Sequence, residues 1–313
     1  MPRKDAPKPV EWLDSIRVPK KLQSSQFEYS MDREALEAFK SIPGAGWVVA
    51  KFMDFVLEFG HSDLLGRSVR VTSRQFPRIH TLARRASEVL HMDLPPLFII
   101  EHPMPNAFAL GSGEEKAFLV VTRRLVEVMQ ERELMHVLGH ELGHVKCQHV
   151  LYHTLAVYLA NAGLFAGRTI PLLHLLSIPA QMALNAWARR SEISCDRAGL
   201  LSCQDLKSAL RACLILACGS RELADQVDMK EYMSQGADLS KSYGKWNEVF
   251  STHPYMPRRM RSMEYFAQSQ LYVHEVLRDA RRSYMSRDEV DRVVAKVLAD
   301  EKVGKPFKVK PTV

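Results

Sequence analysis

Apolar residues recur at helical spacing over 47–59 (Val48, Phe52, Phe55, Val56, Phe59), and Gly60 supplies a stop, which predicts one amphipathic helix there. Alternation at Val69 and Val71 predicts a short strand over 68–72, and the return of helical periodicity through Ile79, Leu82, Ala83, Ala86 and Leu90 predicts a helix over 76–90. Three short apolar runs follow, at 97–100, 107–110 and 117–121, with Gly111, Ser112 and Gly113 between the last two. They predict a small sheet containing a hairpin. Beyond Thr122 the pattern is helical from Arg123 to about Ala217, and again over 257–280 and 287–301. Residues 1–40 are rich in Pro, Lys and Ser with little periodicity, so they read as an arm or wrap outside the core. The expected organisation is an N-terminal arm (1–40), one domain (41–301) and a basic tail (302–313). The expected fold is α+β and mostly helical, a small sheet from 68–122 over a helical bundle.

Two stretches, 147–167 and 169–188, contain no Asp, Glu, Lys or Arg, which raises the prospect of a transmembrane hairpin. Polar or breaking residues interrupt both: His149, His153 and Asn161 in the first, Pro171, His174, Pro179, Gln181 and Asn185 in the second. Buried helices of a large core are the better account, and attachment at a membrane surface is the alternative. Hydrophobic residues make up 46% of the chain, enough for a core without staples. The net charge of +7 is concentrated at the ends, in Arg3, Lys4, Lys8, Arg17, Lys20 and Lys21 and in Lys302, Lys305, Lys308 and Lys310, which reads as solvated termini and gives no nucleic-acid partner. Five cysteines without a C-x-x-C pair suggest neither a disulfide framework nor a cysteine zinc ribbon, and the N-terminus lacks the apolar stretch of a secretory signal. A cytoplasmic chain, at most peripheral to a membrane, is expected.

The chemistry concentrates at His140-Glu141-Leu142-Gly143-His144. Histidines four apart on a helix share a face and can share one ion; neutral imidazole suits zinc, and Glu141 stands beside them as a general base. An amphipathic helix with satisfied histidines has the same spacing. However, Leu134, Val137, Leu138, Leu142 and Val145 form an apolar stripe that buries this helix, and burying His, Glu and His together needs a compensating partner. A catalytic zinc takes a third protein ligand and leaves a fourth position open. Glu192 is the candidate, with Asp196 one turn later to accept the free ring N–H of a zinc histidine. Cys147 and His136 fall on the histidine face and read as packing residues, whereas His149 and His153 fall on the opposite face and read as poor ligands.

Several pieces resemble the M48 metallopeptidases, the gluzincins that include the CAAX prenyl protease, HtpX and the mitochondrial protease Oma. They are Asn106-Ala-Phe-Ala-Leu-Gly111, Val137-Leu-Gly-His-Glu-Leu-Gly-His144, Ser191-Glu-Ile-Ser-Cys-Asp196-Arg-Ala-Gly199 and Ser251-Thr-His-Pro254 followed by Arg259, in the family's order. The resemblance implies a zincin-like domain binding one Zn2+ through His140, His144 and Glu192, with Glu141 activating a zinc-bound water to hydrolyse peptide bonds. It implies that Asn106, Ala107 and Phe108 lie on an edge strand against which substrate backbone pairs, and that His253 and Arg259 polarise the scissile carbonyl or stabilise the oxyanion. Clear membrane spans like those of prenyl-protease and HtpX members are missing here, so the chain looks like a compact, soluble-type member. Cys195 stands where a small residue such as Ala is usual. The competing functions are a metal-binding, non-catalytic scaffold or chaperone-like protein, against which an intact Glu141 argues, and a membrane-associated protease acting on membrane proteins.

Overall fold

A computed structural model describes residues 11–44, 47, 49, 66–111, 113–153, 178–239, 256–279 and 284–299. Positions 48 and 50–59 of the helix expected over 47–59, the tail 302–313, His253 and residues 154–177 of the uncharged stretches lie outside the described residues.

The short apolar runs form one four-stranded sheet: β1 (Ser68–Val71), β2 (Leu97–Ile100), β3 (Ala107–Leu110) and β4 (Phe118–Thr122), in the order β1-β2-β4-β3. β2 runs antiparallel to β1 and parallel to β4, and β3 returns antiparallel along β4 with Ala107 opposite Val121 and Leu110 opposite Phe118. Every residue of β4 is buried, those of both faces alike. Leu97, Ala109, Leu119 and Val121 point into the main core, while Phe98, Phe118 and Val120 form a smaller cluster on the other face with Ile100, Phe108 and Leu110. The turn leaving β3 requires Gly111, which sits at φ +142° where a side chain would strike the backbone of Lys116 and Ala117.

One helix, α3 (Pro77–Val89), follows β1 and packs against two later helices. α5 (Glu131–Lys146) is separated from the preceding α4 (Arg123–Val128) by a short break, and a capping box starts it: Glu133 reaches back to the backbone N–H of Gln130. α6 (Ile178–Cys203) packs along α5, and β3 packs on α5 from the sheet side. The α5–α6 approach is set by small residues, since a Cβ on Gly143 would come within 2.8 Å of the Ala198 side chain and one on Gly199 within 2.6 Å of the His136 carbonyl oxygen. Alanine or larger residues there would hold the helices apart. Further helices, α7 (Leu206–Cys218), α10 (Met256–Phe266) and α12 (Arg287–Leu298), complete the bundle. Short pieces at Arg221–Ala224, Met229–Leu239 and Gln270–Tyr272 account for the intervening numbers α8, α9 and α11. Among the described residues, no helix is long and apolar enough to cross a membrane.

The N-terminal segment differs from its expected role. Residues 11–40 hold a 3-10 turn, α1 (Ser24–Phe27) and α2 (Ser30–Lys40), and they bury Leu13, Ile16, Leu22, Phe27, Tyr29, Leu36 and Phe39. They are part of the core. The inward stripe of α2 is Asp32, Leu36 and Phe39, and the buried carboxylate at its first position masks the apolar periodicity.

Candidate active site

On α5, His136, His140, Glu141 and His144 are all buried, and on α6 Glu192 and Asp196 face them at about 1% exposure each. Nε2 of His140 lies 3.4 Å from Glu192 Oε2, and Nε2 of His144 lies 3.5 Å from Glu192 Oε1. These separations exceed a normal N–H···O bond and match the edge of a tetrahedron of nitrogen and oxygen ligands around zinc, about 3.4 Å for bonds of about 2.0–2.1 Å. The three residues form a candidate metal-binding group, with ligand atoms within 4.8 Å of one another. Nδ1 of His140 lies 3.0 Å from Asp196 Oδ1, an arrangement in which the ring's N–H is held by a carboxylate and Nε2 is aimed at Glu192.

Electrostatics agree with a cation at this point. Burial works against the charged form of His140, but Asp196 and Glu192 outweigh it and hold the metal-free imidazole up at about 10. Burial, aided by His153, pushes His144 well down, so it is neutral and able to donate a lone pair. Burial likewise opposes ionisation of Asp196, yet the Arg259 guanidinium and His140 hold its carboxyl well below the usual range. Glu192 and Asp196 face one guanidinium, so with the imidazoles neutral a bound cation would offset the remaining negative charge.

Arg259 on α10 has a different place from the one expected. Its Nε donates to Asp196 Oδ2 at 2.9 Å, its Nη2 to Asp196 Oδ1 at 2.7 Å, and its Nη1 lies 2.8 Å from Glu192 Oε2. The guanidinium is committed to fixing the two carboxylates, which corrects the expectation that it faces a substrate carbonyl. His149 and His153 are also corrected. Helix α5 ends at Lys146, and Gln148 turns the chain at φ +59°, so the helical register used to place them does not continue. His153 Nε2 comes to 3.3 Å from Glu192 Oε1, and its ring sits 4.3 Å from that of His144. No Gly or Pro marks this reversal, so the sequence carries no local signal for it. Cys147 caps the end of α5, and His136 packs against Gly199; neither joins the candidate group. Asn106 is exposed at the start of β3, its side chain accepting from the Ala107 N–H, and the outer edge of β3 is unpaired among the described residues.

Residues 73–267 match the family model for peptidase family M48. The chain belongs to that family. Family M48 peptidases are metal-dependent, and this chain is a metalloprotease acting on protein or peptide substrates. Among similar curated proteins is the chloroplastic plastoglobule-localized metallopeptidase 48 of Arabidopsis thaliana, 29% identical over 86% of this chain and 80% of its own length. Protease HtpX homologs of Moorella thermoacetica and Kineococcus radiotolerans are 30% and 31% identical, covering 61% and 64% of this chain and 72% and 77% of theirs. No solved structure matches the chain.

Proposed function

We propose that the chain is a zinc-dependent endopeptidase in which His140, His144 and Glu192 hold the metal and Glu141 is the general base. The observation that carries this reading is the spacing from the histidines to the Glu192 carboxylate, 3.4 Å from His140 Nε2 to Oε2 and 3.5 Å from His144 Nε2 to Oε1. When bound, zinc supplies a Lewis acid that lowers the pKa of water to about 7 and polarises a carbonyl. Glu141, next to His140 on the same helix, takes a proton from the attacking water and passes it to the leaving amine. Asp196 keeps the His140 ring in orientation, and Arg259 keeps Asp196 and Glu192 ionised while buried.

The unpaired edge of β3, beside α5, offers the backbone groups of residues 107–110 to an extended peptide, with Asn106, Ala107 and Phe108 at its entry. His253, three positions before α10 in sequence, is the remaining candidate for an oxyanion donor now that Arg259 is occupied. The test is hydrolysis of an unfolded protein by the wild type and by Glu141→Gln, alongside elemental analysis. A loss of at least about 100-fold with the wild-type zinc content retained is expected. Equal turnover by the two proteins would refute the role of Glu141, and zinc-loaded protein with no turnover would favour the scaffold reading.

A further inference from the structure

We infer that the chain has a second, thiolate-containing metal position behind the candidate active site, formed by His149, Cys195 and the far nitrogen of His144, with the Asp32 carboxylate beside His149. It goes beyond the proposed catalytic centre, sharing only His144 with it, and does not depend on Glu141.

The geometry starts at His149, which has no exposed surface. Its Nε2 lies 3.0 Å from Asp32 Oδ2, and its Nδ1 lies 3.6 Å from Cys195 Sγ. The Asp32 contact lacks hydrogen-bond geometry, so the carboxylate acts on this ring as a neighbouring negative charge, and Nδ1 is the nitrogen that faces the sulfur. Asp32 is itself fixed, accepting a hydrogen bond of 2.5 Å from Ser194, the neighbour of Cys195 on α6. Bonds of about 2.3 Å to sulfur and about 2.05 Å to nitrogen at a tetrahedral angle place the two donor atoms about 3.6 Å apart, the separation seen here.

His144 closes the group. Its ring is 5.6 Å from that of His149, and one ligand atom from each of His144, His149 and Cys195 falls within 4.8 Å of the others. Nε2 of His144 faces Glu192, whereas its buried Nδ1 has no hydrogen-bond partner, an orphaned polar atom that a second ion would satisfy. The edge of Trp187 packs on His149 and helps to close the space from water. Two imidazoles and a sulfur favour zinc, cobalt or cadmium over magnesium or calcium. A metal held there would take Cys195 Sγ and His144 Nδ1 in deprotonated form, with two protons released to solvent, and His144 would serve both positions.

Titration of the metal-free full chain with Co(II) tests this, read by elemental analysis and by near-ultraviolet absorption. His140, His144 and Glu192 contain no sulfur, so a sulfur-to-cobalt charge-transfer band reports the second position alone. Two equivalents and the band are expected in the wild type; Cys195→Ser should retain one equivalent and lose the band, while Cys147→Ser keeps both. Asp32→Asn should weaken the second equivalent by about 10–100-fold without removing the first, which serves if Cys195→Ser does not fold. Persistence of the band in Glu192→Gln would support the inference even if the catalytic metal were lost, so the two readings fail separately. One equivalent without a band, or a band that survives Cys195→Ser, overturns it and leaves the Cys195–His149 contact as an S–H···N hydrogen bond.

Discussion

Arg259 illustrates how the candidate site is stabilised one residue at a time. Its guanidinium spans Asp196 and Glu192, two carboxylates on successive turns of α6 that would otherwise repel each other in a buried setting. Arg259→Leu removes the guanidinium that this pair shares. It should destabilise the metal-free chain by about 3–5 kcal/mol, seen as a lowered urea midpoint at unchanged slope. Asp196→Asn is milder for the fold, because the amide keeps its shape, but the hold on the His140 ring is weakened. Metal affinity should fall about 10–100-fold, measurable by competition with a chelator of known strength. Much of this constellation is legible in the sequence: the four-residue spacings that link His140 to His144 and Glu192 to Asp196 each put two side chains on one helix face. The partners of Arg259 are not, because nothing local to a basic helix start says that a carboxylate 63 positions earlier will fold against it. His153 is hidden for another reason, a chain reversal at a non-glycine residue.

At the scale of elements, the crossing of α5 and α6 sets the ligand spacing. Gly199 has no room for a methyl group, which would press on the backbone of His136, so Gly199→Ala should destabilise the fold by about 1–3 kcal/mol despite alanine's better helix propensity. Thermal melts followed by circular dichroism would show this, and a stabilising effect would mean that the helices can shift apart freely. The strands at 97–100 and 107–110 are readable from short apolar runs bounded by turn residues, and the hairpin from the glycines around Ser112. Their order is not. Period-two alternation fixes which face a side chain takes but not which strand lies alongside, so the parallel pairing of β2 with β4 has no signature in either run. The continuous helical pattern after Arg123 also conceals the break that lets α5 begin at Glu131 with its own cap.

Across the whole molecule, the ends of the described chain meet at one buried arginine. Arg197 of α6 donates to the Phe27 carbonyl oxygen at 3.1 Å and to Asp291 of α12 at 2.7 Å, and Asp291 in turn accepts from the Ser30 N–H at 3.1 Å. Removing residues 1–40 should therefore abolish cooperative unfolding rather than liberate an active core, and Asp291→Ala should cost about 3–5 kcal/mol of stability. Either protein melting like the wild type would show that the N-terminal helices are dispensable. This closure was not readable beforehand, since Asp32 interrupts the stripe of α2 and Arg197 looks like an ordinary surface charge. The glycine contacts between α5 and α6 have a last implication. The spacing of the histidines and glutamate follows from how closely two helices pack at their glycines, so taking away an ion should leave those helices in place. Dialysis against a chelator should then silence the peptidase while its far-ultraviolet spectrum stays unchanged, and adding back zinc should restore turnover without a refolding delay.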